Sequence, residues 1–540
     1  MSVADPALPG VRSTAEVQAP AGDENQRAVD RLLEGRSGVD QWMIRWGDRL
    51  SPIVVKETRQ ALKSKQFVWT MVLLLVCTVG WTMIGIASQM PDLYFFPAGM
   101  TLLTGYIFML MIPALLIVPI AAFFSMAGEL NANTFDVLSI TPLTSRRIVW
   151  GKIVVALVQL ALFFSVLAPC IALTYLLRGV SIAGLLNLLP LLASVAFLLV
   201  ALSVTLGTFS RTVFQMILCS FAQMAAGVAV LFSLSTFIFR ELMVGLAFDG
   251  GWGAYLAVWL FIAFILSYGY LGTLIASASI GIIGENYARS IRLWVAVQAY
   301  AIFAASGAIA WWENQGQVGD ALAFALMTTA MHWAAVGVFL VSQSGSISPR
   351  TQRTLPRRLS SQMLLSWLNP GGGTGYFFVV LNYTALLLAY LVIPTPDRSE
   401  REMGLYLNAV FGYLVFYLGA LRLCMLAIPV TVPNRSGVAL FLAVLLLAVG
   451  SGGPIFMSMA ANDFERWTYE TYSIFNIFAT FADIYAADGA AMTLLDFSAA
   501  LVLLLNAVVV SRDIVLVRVR AIEDREISRS AAAAAADPFA

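Results

Sequence analysis

The feature that most constrains this chain is a succession of long apolar windows. They lie at 66–88, 98–124, 149–177, 180–209, 213–237, 253–281, 294–310, 320–342, 376–393, 405–428, 437–459 and 493–511. A run of about 20 apolar residues is the length at which an α-helix crosses bilayer hydrocarbon. In lipid, a helix satisfies its own backbone donors and acceptors. The windows therefore predict an all-α, polytopic membrane protein of about 12 transmembrane helices. Composition agrees: 60% of the 540 residues are hydrophobic and only 12% are charged. That leaves too little polar surface for a soluble fold of this length.

Charge sets the orientation. Lys and Arg crowd cytoplasmic loops, while Asp and Glu weigh little. With the N-terminus inside, the outer segments hold Arg178, Arg240, Arg398, Arg401 and Arg466, and all the other Lys and Arg among 32 fall inside. Inner clusters include Arg146 with Arg147, Arg289 with Arg292, and the run Arg350, Arg353, Arg357 and Arg358. This predicts both termini in the cytoplasm. Residues 1–40 read as a disordered tail and lack the short apolar core of a signal peptide. Residues 512–540 read as a second cytoplasmic tail ending in the low-complexity run Ala531 to Ala536. Between them lie an interface helix at 41–65, a six-span module at 66–281 and a second at 282–511.

Little in the chain points to enzyme chemistry. Cys77, Cys170, Cys219 and Cys424 each lie in an apolar run, with no disulfide or zinc spacing. His332 is the one histidine. Gly371 to Gly375 looks like a phosphate loop but has no following Lys, so it reads as a flexible turn. No Walker A pattern occurs anywhere. In-span polar residues Gln159, Gln215, Gln223, Gln298, His332, Asn382, Asn408 and Asn506 read as interhelical hydrogen-bonding groups. Lys152 and Arg422 lie near inner ends, where they can snorkel. The aromatic and acidic stretch 460–492 suits helices resting on the outer membrane face.

Residues 42–65 carry Trp42, Trp46, Leu50, Ile53, Val54 and Ala61 on one helical side and Lys56, Arg59 and Lys63 on the other. Such a helix lies in the membrane interface. Pro52 starts its second segment. Glu57 falls at the edge of the apolar side. It either pairs with a nearby cation in a plain anchor or belongs to a contact surface for a cytoplasmic partner. The inner segment from Gly128 to Lys152 places Asn133 as an N-cap and Asp136 at N3 of a short helix, with Pro142 as its stop.

These two stretches resemble the permease subunits of ATP-binding-cassette exporters of the ABC-2 type. The interface helix matches through Pro52, Lys56, Glu57 and Arg59, and the coupling loop through Glu129, Thr134, Asp136, Leu138, Pro142, Leu143, Thr144, Ile148, Gly151 and Lys152. Asn133 stands where the family usually has Gly, Asp136 where it has Glu, and Ser51 where it has Asn. The match covers residues 50–281; the second six spans do not repeat it.

The resemblance implies that Lys56, Glu57, Arg59, Glu129, Thr134, Asp136, Leu138, Pro142 and Lys152 couple the chain to an ABC ATPase subunit. That subunit would hold the ATP and magnesium, and this chain would hold no cofactor and bind no nucleic acid. It also implies an exporter of a bacterial-type cytoplasmic (inner) membrane, working as a homodimer or as a fused pseudo-dimer. Two other readings remain open: an ATP-independent secondary transporter with two six-helix halves, and a membrane scaffold or maturation factor.

Overall fold

The computed structural model describes residues 52–90, 99–131, 144–177, 180–210, 212–244, 252–281, 286–313, 318–344, 366–392, 401–429, 432, 435–464, 466–487 and 489–536. The predicted tail at 1–40, the first part of the interface helix, the loop at 132–143 and the basic run at 350–358 lie outside these residues. The described elements are α1 (Pro52–Leu62), α2 (Lys65–Ser88), α3 (Gly99–Asn131), α4 (Ser145–Leu176), α5 (Ile182–Phe209), α6 (Val213–Val244) and α7 (Trp252–Ser279). They continue with α8 (Tyr287–Glu313), α9 (Val318–Ser342), α10 (Gly372–Val392), α11 (Arg401–Leu426), α12 (Arg435–Ala461), α13 (Ile477–Ala482) and α14 (Gly489–Ala536). Among the described residues, 12 helices are long and apolar enough to span a membrane. The chain is an all-α, integral membrane protein, as the windows predict.

Several helices outrun their windows, and the reason is where charge goes. α3 continues past Glu129, α4 begins at Ser145 ahead of Arg146 and Arg147, and α8 begins at Tyr287 ahead of Arg289 and Arg292. Hydropathy penalises these charges, yet Arg292 is buried and bonded inside the bundle. α14 continues to Ala536, so the region read as a tail is helical for most of its length. Between Ser511 and Ala536 there is no Gly or Pro to stop it, and the Ala run favours helix. α3 contains a π-helical turn at Pro113–Ile117. Pro113 and Pro119 lack the N–H of a regular ladder, and a wider turn accommodates that loss.

The core divides in two. The first part joins α2 to α7 around Tyr106, Leu110, Phe163, Leu192 and Val200. The second gathers Trp333, Tyr376, Tyr383, Val415 and Leu421 from α9, α10 and α11. α7 belongs to both, with Ile265 and Ala276 in the first and Leu271 and Leu274 in the second. Opposite the basic ends of the helices, a third cluster forms where Ile474, Ile484 and Ala487 pack on Tyr413 of α11 and Leu495 of α14. Tyr413 and Tyr417 donate to the carbonyls of Ile474 and Phe475 at 2.5 Å. Those hydroxyls need acceptors, and they anchor Ile474, Ile484 and Ala487 in the end of the bundle, while Trp467, Phe478 and Tyr485 of the same stretch stay exposed.

Six of the eight in-span polar residues bridge helices. Gln223 donates to Ser203 at 2.6 Å, Gln298 to Ser267 at 3.0 Å, and Asn506 to the Gly419 carbonyl at 3.2 Å. Asn382 accepts from Tyr300, and Asn408 donates to Asp496. His332 Nε2 lies 3.2 Å from the Val295 carbonyl, which can only accept, so Nδ1 is left to accept from Tyr268 at 2.5 Å. α7, α8 and α9 are thereby tied at the boundary between the two cores.

The glycine string is not a flexible turn. Gly371 has φ 147°, a conformation open to glycine, and Gly372 to Gly375 form the first turn of α10. A Cβ on Gly372 would sit 2.2 Å from the Val341 carbonyl oxygen. Gly372→Ala is expected to cost about 1–3 kcal/mol through overpacking. Gly452→Ala meets open space and is expected to cost nothing. Thermal unfolding in detergent compares the two.

Candidate functional site

The residues that carry the motif meet at the basic end of the first core. α1 packs along α4. Ser64 ends the turn after α1 by capping α2, its hydroxyl accepting from the Phe67 N–H at 3.2 Å. Val54 is buried, whereas Lys56, Arg59 and Lys63 are exposed on the other side, as the amphipathic pattern requires. Glu57 points between these sides and reaches Lys152.

Lys152 is the centre of the arrangement. Its side chain is 1% exposed, and Nζ lies 3.3 Å from Glu57 Oε1 and 2.8 Å from Glu129 Oε1. It also donates to Ser125 Oγ at 3.0 Å, with the Ser125 carbonyl 3.4 Å away. Ser125 and Glu129 are four residues apart on α3 and so share a face. One ammonium group therefore binds α1, α3 and α4. An ammonium has three protons to place and cannot leave them unpaired in a low-dielectric interior. It does not snorkel; it is sequestered, and its effect on any partner must pass through the helices it joins. Burial pushes the Glu57 carboxyl above its ordinary value, Lys152 pulls it back down, and Glu129 pushes it up again.

Thr134, Asp136, Leu138 and Pro142 fall in 132–143, outside the described residues, but both flanks of that segment are anchored. On the α3 side, Asn131 Nδ2 donates to the Ala127 carbonyl at 3.0 Å and the Ser210 carbonyl at 3.4 Å, tying it to the end of α5. On the α4 side, Arg146 donates to Ser290 Oγ at 3.0 Å, and Ser145 Oγ lies 3.5 Å from the Tyr287 hydroxyl. Tyr287 and Ser290 open α8, so the second core is joined to the flank of this segment.

Sequence reasoning missed what lies one turn further along α8. Arg292 is fully buried and donates to the carbonyls of Trp367 and of Gly371 (2.9 Å), to Gln343 Oε1 (2.8 Å) and to Thr374 Oγ1 (3.1 Å). Asn286, just ahead of α8, donates to Asn369 at 3.1 Å. Together they clasp the approach to α10. Arg422 is likewise buried rather than snorkelling, 3.6 Å from Asp513. The only sequence signal for Arg292 is a cation five residues inside the helix that carries it, and charge alone does not distinguish it from exposed Arg289.

No protein-family model matches the chain, and no curated protein or solved structure does so either. Function is therefore read from these residues.

Breaking a buried ion pair from one side typically costs about 3–5 kcal/mol. Lys152→Met is expected near the lower end, since Glu57 and Glu129 are 18% and 29% exposed. Adding Glu57→Gln and Glu129→Gln should recover most of the loss. The sign with pH follows from Glu57. A folded-state value above the unfolded one makes its contribution largest at low pH and lost as pH rises through the folded value. Without Lys152 that elevation grows, so the deficit in melting temperature should shrink on acidification from about pH 7.5 to about pH 5. A pH-independent deficit would contradict this account.

Proposed function

We propose that the chain is the membrane permease subunit of an ATP-driven exporter of the ABC-2 type, energised by a separate ATPase subunit on its basic, cytoplasmic side. The observation that carries this reading is the single buried ammonium of Lys152 joining α1, α3 and α4. A partner that presses on α1, through exposed Lys56 and Arg59, or on Thr134 to Pro142 moves spans rather than a loose loop. The bonds from Ser145 and Arg146 to α8 hand part of that motion to the second module. Two-state movement of such a unit is what an ATPase closing on its nucleotide would drive. The ATP and magnesium belong to the partner. The membrane is a bacterial-type cytoplasmic one, with both termini inside. Closed helices whose in-span polar groups mostly bond one another favour rigid-body rocking over a proton relay.

The test is co-purification from native membranes. ATP hydrolysis is expected to accompany the wild-type chain and to fall about tenfold or more with Asp136→Lys or with Arg59→Glu, because reversed charge at a docking surface repels a matched partner. The variant chains should still be inserted at wild-type levels. Transport that survives ATP depletion but collapses with the ion gradient would replace this reading with a secondary transporter.

A further inference from the structure

An exposed face of the second module carries a carboxylate. Asp496 lies in α14, five residues from the midpoint of the span Gly489–Asp513, which is about 8 Å along the helix axis. It is exposed, and both of its oxygens accept from Asn408 Nδ2 of α11, at 3.1 and 3.3 Å. Among the described residues no cation pairs with it. A bare carboxylate at this depth is disfavoured in lipid, and such residues normally face protein or water.

The surroundings are those of a helix-docking surface. Thr493, Asp496, Phe497, Ala500 and Leu504 form one exposed stripe at helical spacing along α14. On α11, Gly404 lies one turn from Asn408 and has open space where a side chain would be. Small residues let a neighbouring helix approach closely in a membrane, and polar residues hold it there. We propose that this surface, centred on Asp496 and Asn408, receives a transmembrane helix of a different protein that carries a lysine or arginine at matching depth. A second copy of this chain is a poor occupant. Among the described residues its in-span cations lie at the opposite, basic end, where the deepest, Lys152, Arg292 and Arg422, are buried and already bonded. The proposal stands apart from the exporter reading, since it concerns the far side of the other module.

The experiment uses the full chain, donor-labelled and reconstituted in phosphatidylcholine vesicles, with acceptor-labelled synthetic Leu/Ala transmembrane peptides. One peptide carries a single Lys about 8 Å from its midpoint, matched to Asp496. A second has Leu there, and a third has Asp. The Lys peptide is expected to associate about fivefold more strongly than the Leu peptide. Asp496→Leu should abolish that preference, and Asp496→Lys should transfer it to the Asp peptide, a reversal that misfolding cannot produce. Equal association of the Lys and Leu peptides with the wild type, or a preference that survives Asp496→Leu, overturns the proposal. So does association between two labelled copies of the chain that disappears with Asp496→Leu.

Discussion

A buried ammonium must find its counter-charges and acceptors within a few ångström, and Lys152 finds them on two other elements. That requirement decides much of the architecture around the first core. It brings α1 against α4 and sets the rotation of α3 so that Ser125 and Glu129 face Lys152. Desolvating three charges is expensive, and a well-packed apolar substitute is often no less stable. What the ionic arrangement adds is direction: an ammonium with fixed acceptors tolerates one placement of each helix, where an apolar contact tolerates many.

The second core solves the same problem differently. Among the described residues Arg292 has no carboxylate; its acceptors are carbonyls, an amide oxygen and a hydroxyl, with the face of Phe378 6.0 Å from the guanidinium. Arg435 likewise donates to the carbonyls of Ile428 and Pro429, at the end of α11. Helix C-termini carry partial negative charge, so such carbonyls suit a cation. The two modules thus differ in kind at their basic ends. One is held by ions that join it to an exposed amphipathic helix; in the other, beside the Arg422–Asp513 pair, Arg292 and Arg435 are folded onto backbone carbonyls. This contrast fits a division in which the first module receives a push and the second follows it.

The spans were legible because lipid demands it: a helix that crosses must be apolar for its full width, and 12 stretches are. Their basic ends were not, since Glu129, Arg146 and Arg292 look like termination signals until their partners are known. Glu57 and Lys152 are 95 residues apart, and nothing local shows that they meet. Each could be singled out as a motif residue, and of the two roles open to Glu57 the pairing with a cation is the one observed. The glycines at 372–375 were misread because closeness to the Val341 and Leu340 carbonyls is a tertiary fact, and in sequence a glycine that packs looks like one that bends. The anchoring of the stretch around Ile474 was hidden for a related reason: the hydroxyls of Tyr413 and Tyr417 recruit its backbone from a distance in sequence.

α14 is a single helix of 48 residues. At 1.5 Å per residue it is a rod of about 70 Å, of which roughly half crosses the bundle and half extends beyond it. Its far end is held by the cap around Ile474 and Ile484, and its middle by Asn506 bonded to the Gly419 carbonyl. A rod held at its middle and gripped at one end tilts about the middle when the grip shifts. From Asn506 the gripped arm runs 17 residues to Gly489 and the free arm 30 residues to Ala536, about 26 and 45 Å. A tilt of about 3° carries the free end some 2 Å, a distance comparable to a helix shift at a switching interface. A displacement at the cap is in this way passed, nearly doubled and reversed in sense, to the other end of the helix.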